Sequence, residues 1–179
     1  MILGMSVATF TLFHVILSLI GIAAGVIVVF AMLAAKAVPR WTALFLITTV
    51  ATSVTGFFFH SAAFGPPHVV GVISLVVLVF TLLALYVYRL AGHWRWIYVG
   101  TAVVALYLNV FVGVVQAFLK IPVLHQLAPR GSEPPFAIAQ GLVFALFVAL
   151  GVMAVRKFHP PAAMSTGFGQ VAPAARKVG

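Results

Sequence analysis

Five apolar stretches, 8–35, 41–59, 69–90, 96–119 and 136–155, make up most of the chain. Each is near or above the roughly 20 residues of helix that cross a hydrocarbon core of about 30 Å. The runs are continuous rather than alternating and the turns between them are few, which argues against a membrane β-barrel. The sequence therefore predicts an all-α fold, a polytopic transmembrane bundle of five helices with residues 1–157 as one domain. Loop signals separate the runs: Lys36 to Arg40 with Pro39, Ser61 to Pro67 with two prolines, Arg89 to Arg95, and the longer segment from Lys120 to Pro135. Residues 158–179 are rich in Pro, Ala and Gly and read as a disordered cytoplasmic tail.

Charge is scarce and one-sided. Ten Lys or Arg face a single acid, Glu133, in 179 residues. One carboxylate cannot supply a glycosidase pair, an aspartic dyad, an EF-hand or a two-metal site. The absence of cysteine removes thiol nucleophiles, iron–sulfur clusters, Cys-based zinc sites and c-type haem attachment. No Ser or Thr carries a hydrolase motif and no glycine loop suits a phosphate, so an enzyme of the usual kinds is disfavoured.

The bases also orient the chain. Lys36, Arg40, Arg89, Arg95, Arg156, Lys157, Arg176 and Lys177 fall on one side of a five-helix bundle, and Lys120 and Arg130 on the other. The positive-inside rule places the first set, with the C-terminus, in the cytoplasm and the N-terminus outside. Because the bases are distributed over membrane edges, the net charge of +9 is not read as a nucleic-acid surface. Residues 1–10 lack a basic n-region and precede a run too long for a cleavable signal, so the first helix is expected to be retained.

Helices in lipid associate through small and polar side chains, and such stripes mark their facing sides. The first helix has His14, Ser18, Gly21 and Gly25, the last two forming GxxxG; the second has Thr42, Thr49, Ser53, Gly56 and His60. The third has His68, Gly71, Ser74, Thr81 and Tyr88, and the fourth Ala102, Ala105, Asn109, Gly113, Gln116 and Lys120. The fifth repeats Gly141, Ala145 and Ala149 beside Gln140. Counting about 20 residues from the base-rich end brings His14, His60, His68 and Gln116 to one level, the outer boundary of the membrane. His125 and Glu133 lie in the loop above.

Imidazole ligates metals and haem iron, carries protons and hydrogen-bonds quinone carbonyls. His14, His60, His68 and His125 are thus the candidate ligand- or metal-binding residues, with Asn109, Gln116, Gln140 and Glu133 as polar pocket lining. The competing interpretation is that the boundary layer is wet and that His60 and His68 simply end helices there. There is no HExxH and no His pair at four-residue spacing, so any centre must be assembled across helices. Ser132 followed by Glu133, Pro134 and Pro135 reads as a helix start, with Ser as cap and the acid near the positive end of the dipole. Asn109 and Gln116 read as interhelical hydrogen-bonding groups, and the run from Thr48 to Thr55 as helix packing with hydroxyls bonded back to their own turns. Trp41, Trp94 and Trp96, and Phe57 to Phe59, read as interfacial anchors.

The segments LSLIGIAAG, LITTVATSVTGF, HVVGVISLVVL, RWIYVGTAVVALYLNVFVGVVQAFLK and SEPPFAIAQ resemble small bacterial inner-membrane proteins that have no assigned activity. The resemblance implies a multi-pass inner-membrane location and brings no cofactor or site residues. The expected function is to hold a transition metal, haem or quinone-like ligand in a His-lined pocket at the outer face. The alternatives are a small-solute or lipophile transporter or channel, and a structural subunit of a larger membrane complex. The expected partners are the lipid bilayer and either such a complex or further copies of the chain.

Overall fold

A computed structural model describes residues 2, 4–59 and 65–159. It is helical: α1 (Val7–Leu33), α2 (Pro39–Gly56), α3 (Pro66–Leu82), α4 (Trp94–Lys120), a short α5 (Pro122–Leu127) and α6 (Pro134–Lys157). A π-helical turn, Leu83–Val87, continues α3. The long segment expected as a loop thus contains α5. The residues expected to form the tail divide: Phe158 is buried against Tyr98, His159 is exposed, and 160–179 lie outside the described residues.

Local chemistry sets the boundaries. Ser6 caps α1 by accepting a hydrogen bond from the Thr9 N–H at 3.1 Å. At its other end the Lys36 N–H reaches the Ala31 carbonyl and the Ala35 N–H the Met32 carbonyl. This is a Schellman closure, with Ala35 holding φ +55° where glycine is the usual occupant. Prolines open α2, α3 and α6, where a missing N–H costs nothing. The turn from α3 to α4 is braced by Tyr88 stacked on Trp94, with ring centroids 3.7 Å apart. Arg95 donates from Nη1 to the Val155 and Phe158 carbonyls, satisfying the C-terminal end of α6.

Among the described residues four segments, Val7–Leu33, Pro66–Val87, Trp94–Lys120 and Pro134–Lys157, are long and apolar enough to cross a membrane. Large apolar side chains such as Leu12, Phe30, Val79, Leu142 and Leu146 are exposed on them, which is the surface expected of a protein in contact with lipid. The remaining long helix, α2, has 18 residues and carries six hydroxyl side chains. Its polar face is turned inward, with Thr42, Thr48, Thr49 and Ser53 buried.

Helix α1 packs on α2, α4 and α6, α3 packs on α2 and α4, and α6 lies against α4. The apolar core fills the end where α1 finishes and α2 and α4 begin: Val28, Met32, Phe45, Leu85, Tyr98, Val99 and Leu106 are nearly inaccessible. The GxxxG makes this possible. A Cβ on Gly25 would fall 2.6 Å from Leu106 Cδ1 and 2.9 Å from the Phe45 ring, so only glycine lets the three helices approach this closely. Burial then thins toward the opposite, base-poor end, where no residue between Thr11 and Ile20 is fully buried.

Candidate functional site

Polar side-chain pairs tie α2 to α1, α3 and α4. His14 Nδ1 on α1 lies 2.8 Å from Thr55 Oγ1, Ser74 Oγ on α3 lies 2.9 Å from Ser53 Oγ, and Asn109 Nδ2 on α4 donates to Thr49 Oγ1 at 3.1 Å. Gly21 provides space for the deepest of these. A Cβ there would come 3.1 Å from Thr48 Oγ1, 3.4 Å from Thr49 Oγ1 and 3.6 Å from Asn109 Nδ2. The polar groups therefore descend from His14, near the base-poor end, to Asn109, near the middle of α4. Below them stands the apolar core around Phe45 and Leu106.

The hydrogen bond of His14 fixes its tautomer. Thr55 Oγ1 lies 2.7 Å from the Ala51 carbonyl oxygen. Two oxygens at that distance need a proton between them, and the carbonyl has none, so the hydroxyl donates to Ala51. Its lone pair must then accept from His14, whose Nδ1 carries the proton. In the neutral ring this leaves Nε2 as a lone-pair donor. Nε2 has no hydrogen-bond partner among the described residues. The ring is half-buried, with Phe59 edge-on at 5.1 Å. Phe10, fully buried, packs on Phe59 at 5.2 Å and on Phe58 at 6.4 Å, closing this end with aromatic surface.

The other expected site residues go to different places. His60 lies outside the described residues. His68 sits at the third position of α3, where Nδ1 accepts from the Gly65 N–H at 3.2 Å, and its ring is 5.9 Å from Phe57. It thereby closes half of a capping box. His125 is exposed on α5. Among the described residues no three His, Asp or Glu side chains gather as a metal centre.

Gln116, expected on the packing face, is exposed; the buried residues of α4 lie between Tyr98 and Leu106 and, two residues beyond Gln116, at Phe118. Gln140 is buried in the seam between α6 and α4, where Nε2 donates to the Phe111 carbonyl at 3.1 Å and Oε1 has no partner. Glu133, rather than Ser132, occupies the N-cap of α6, and its carboxylate turns back to accept from the Arg130 and Ser132 N–H groups, both at 3.0 Å. Desolvation, the largest single influence, raises its pKa. The hydrogen bonds from Arg130, its own N–H and Ser132, with the charge of Arg130, outweigh that and hold it below the ordinary value.

Two members of the site were not singled out for it in the sequence. Thr55 shares the 48, 52, 55 spacing of one helix face, which is a signal for facing a neighbour but not for facing a particular histidine. Thr52, on that face, has a buried Oγ1 with no partner. Compared with known protein families, curated proteins and solved structures, the chain shows no match.

Proposed function

We propose that this chain is a multi-pass protein of the bacterial inner membrane that holds a small ligand on His14 at its outer face. In this reading α2 is a fifth span, the N-terminus lies outside and the C-terminus in the cytoplasm. The shortfall of α2 in apolar residues is offset by burial of its hydroxyls in the bundle, and the distribution of bases supports the orientation. The resemblance to small bacterial inner-membrane proteins supports the location.

The observation that carries the ligand reading is the Ala51–Thr55–His14 relay, which presents Nε2 as a lone pair on a fixed ring. Metal-ligating histidines characteristically donate their other ring N–H in this way. A transition metal or haem iron therefore fits His14 best. A quinone-like ligand fits in its reduced form, whose hydroxyl donates to Nε2. His60 and His125 are the other imidazoles near enough in sequence to the same end to add a ligand, whereas His68 has its Nδ1 lone pair engaged by the Gly65 N–H. Tight packing at Gly25, Phe45 and Leu106 argues against a polar path continuing to the base-rich end, so binding is favoured over transport.

The test is purification of the full chain in mild detergent, with metal analysis and an absorption spectrum, followed by titration with Zn(II), Cu(II) and haem. The expected result is saturable binding of one of these that His14→Ala abolishes while the helical circular dichroism is kept. Binding of none, or binding unchanged in His14→Ala, rejects the reading in favour of a structural subunit.

A further inference from the structure

On the side of the bundle formed by α4 and α6 runs an apolar groove of about 380 Å³. Two glycines keep it open: a Cβ on Gly100 would meet nothing within 4 Å, and one on Gly151 would reach Val103 Cγ1 at 3.5 Å. At one end Tyr107 packs against Phe144 and Phe147, with both centroid distances 5.7 Å. At the other end is Arg156, exposed and followed by the exposed Lys157. From Phe144 to Arg156 is twelve helical steps, about 18 Å at 1.5 Å per residue. That is close to the depth of one leaflet of a core of about 30 Å.

The charge at the groove's end has no counterpart in the chain. Glu133, the single acidic side chain, caps the opposite end of α6. A third base nearby, Arg95, is committed to the carbonyls that end α6. A second copy of this chain offers no other acidic side chain to meet Arg156 and Lys157. An amphiphile does, if it carries an anionic head and an apolar tail one leaflet long.

We infer that the α4–α6 groove binds an anionic phospholipid, with one acyl chain along Gly100 and Gly151 toward Tyr107 and the headgroup phosphate between Arg156 and Lys157. Basic positions at the membrane edge beside helix–helix crevices are suited to such headgroups. The aromatic end limits the depth of the chain. The two adjacent cations favour a net-negative headgroup over a zwitterionic one, whose own cation they repel.

The full chain is reconstituted in vesicles of equal parts phosphatidylglycerol and phosphatidylcholine, extracted in mild detergent, and the retained lipid counted by native mass spectrometry. Wild type is expected to retain phosphatidylglycerol preferentially. Arg156→Gln lowers that preference about fivefold. Gly100→Leu, whose side chain enters open space, removes the bound lipid of either kind. Retained lipid that mirrors the vesicle mixture overturns the inference, as does a preference unchanged in Arg156→Gln or retention unchanged in Gly100→Leu. Should the leucine variant fail to fold, the Arg156→Gln comparison decides alone, because that side chain lies exposed at a helix end.

Discussion

His14 on α1 donates through Nδ1 to Thr55 on α2, 41 residues away in sequence and 2.8 Å away in space. The bond joins a fold-defining contact to a chemical one. It ties two helices together where the apolar core has thinned, and it decides which nitrogen of the ring keeps a lone pair. The ligand proposed for Nε2 would therefore depend on a threonine whose own backbone bond forces it to be an acceptor.

Thr55→Val follows directly. Valine keeps the shape and removes the acceptor, so the ring loses both its orientation and its fixed tautomer. Affinity for whichever of Zn(II), Cu(II) or haem binds the wild type is expected to fall about 10–100-fold, the usual cost of removing a group that orients a metal-bound histidine. Thr52→Val, one turn away, is the control. Its hydroxyl is already buried without a partner, so stability should stay level or rise by up to about 1 kcal/mol, with affinity unchanged. Titrations of the two variants side by side check this, and equal losses in both would reject the relay.

Gly25 carries a prediction about the fold alone. Gly25→Ala drives a methyl to within 2.6 Å of Leu106 Cδ1 and 2.9 Å of the Phe45 ring, so these closely packed side chains, or the helices that carry them, must shift. Overpacking of this kind costs about 1–3 kcal/mol. Gly21→Ala meets the Thr48 hydroxyl at 3.1 Å and should cost less, while Gly100→Ala, in open space, should be close to neutral. Unfolding midpoints in mixed detergent should rank the three in that order, and a Gly100→Ala as damaging as Gly25→Ala contradicts the packing described.

How much of this was readable from residue order depends on whether the cause was local. The existence and rough extent of the long helices, though not of the short α5, were legible, because apolar length and prolines act within a few residues. So was the GxxxG at Gly21 and Gly25, since four-residue spacing places both on one face whatever they meet. The depth estimate put His14 near the base-poor end, where burial thins. What it could not provide was rotation about each helix axis relative to its neighbours. That rotation gives His14 to Thr55, turns Gln116 outward, and sets Gln140 in the α4–α6 seam. The particular bonds of His68 and Glu133 were not legible for a different reason. Both belong to loop geometry: His68 depends on the conformation at Gly65, and Glu133 on Arg130 and Ser132 presenting their N–H groups to one carboxylate, beside a left-handed Gly131 at φ +67°.

The Glu133 clamp gives the clearest pH dependence. Desolvation is the largest single influence on its carboxylate and raises the pKa, but the N–H donors and the Arg130 charge together outweigh it and hold the pKa below the ordinary value. A group whose folded pKa is depressed contributes stability above its unfolded value, about 4.3 for glutamate, and loses it as pH falls through the folded value. The clamp is therefore complete at neutral pH and opens only in acid below the ordinary glutamate range. Protonation removes one acceptor charge, and the Arg130 and Ser132 N–H groups then turn to water. Amide chemical shifts of those two residues, followed downward from pH 7 in detergent micelles, should titrate together with a midpoint under about 4.3. In Glu133→Gln both should be flat over that range. A midpoint at or above the ordinary value, or a titration that survives in Glu133→Gln, would show that the carboxylate does not hold the entrance to α6.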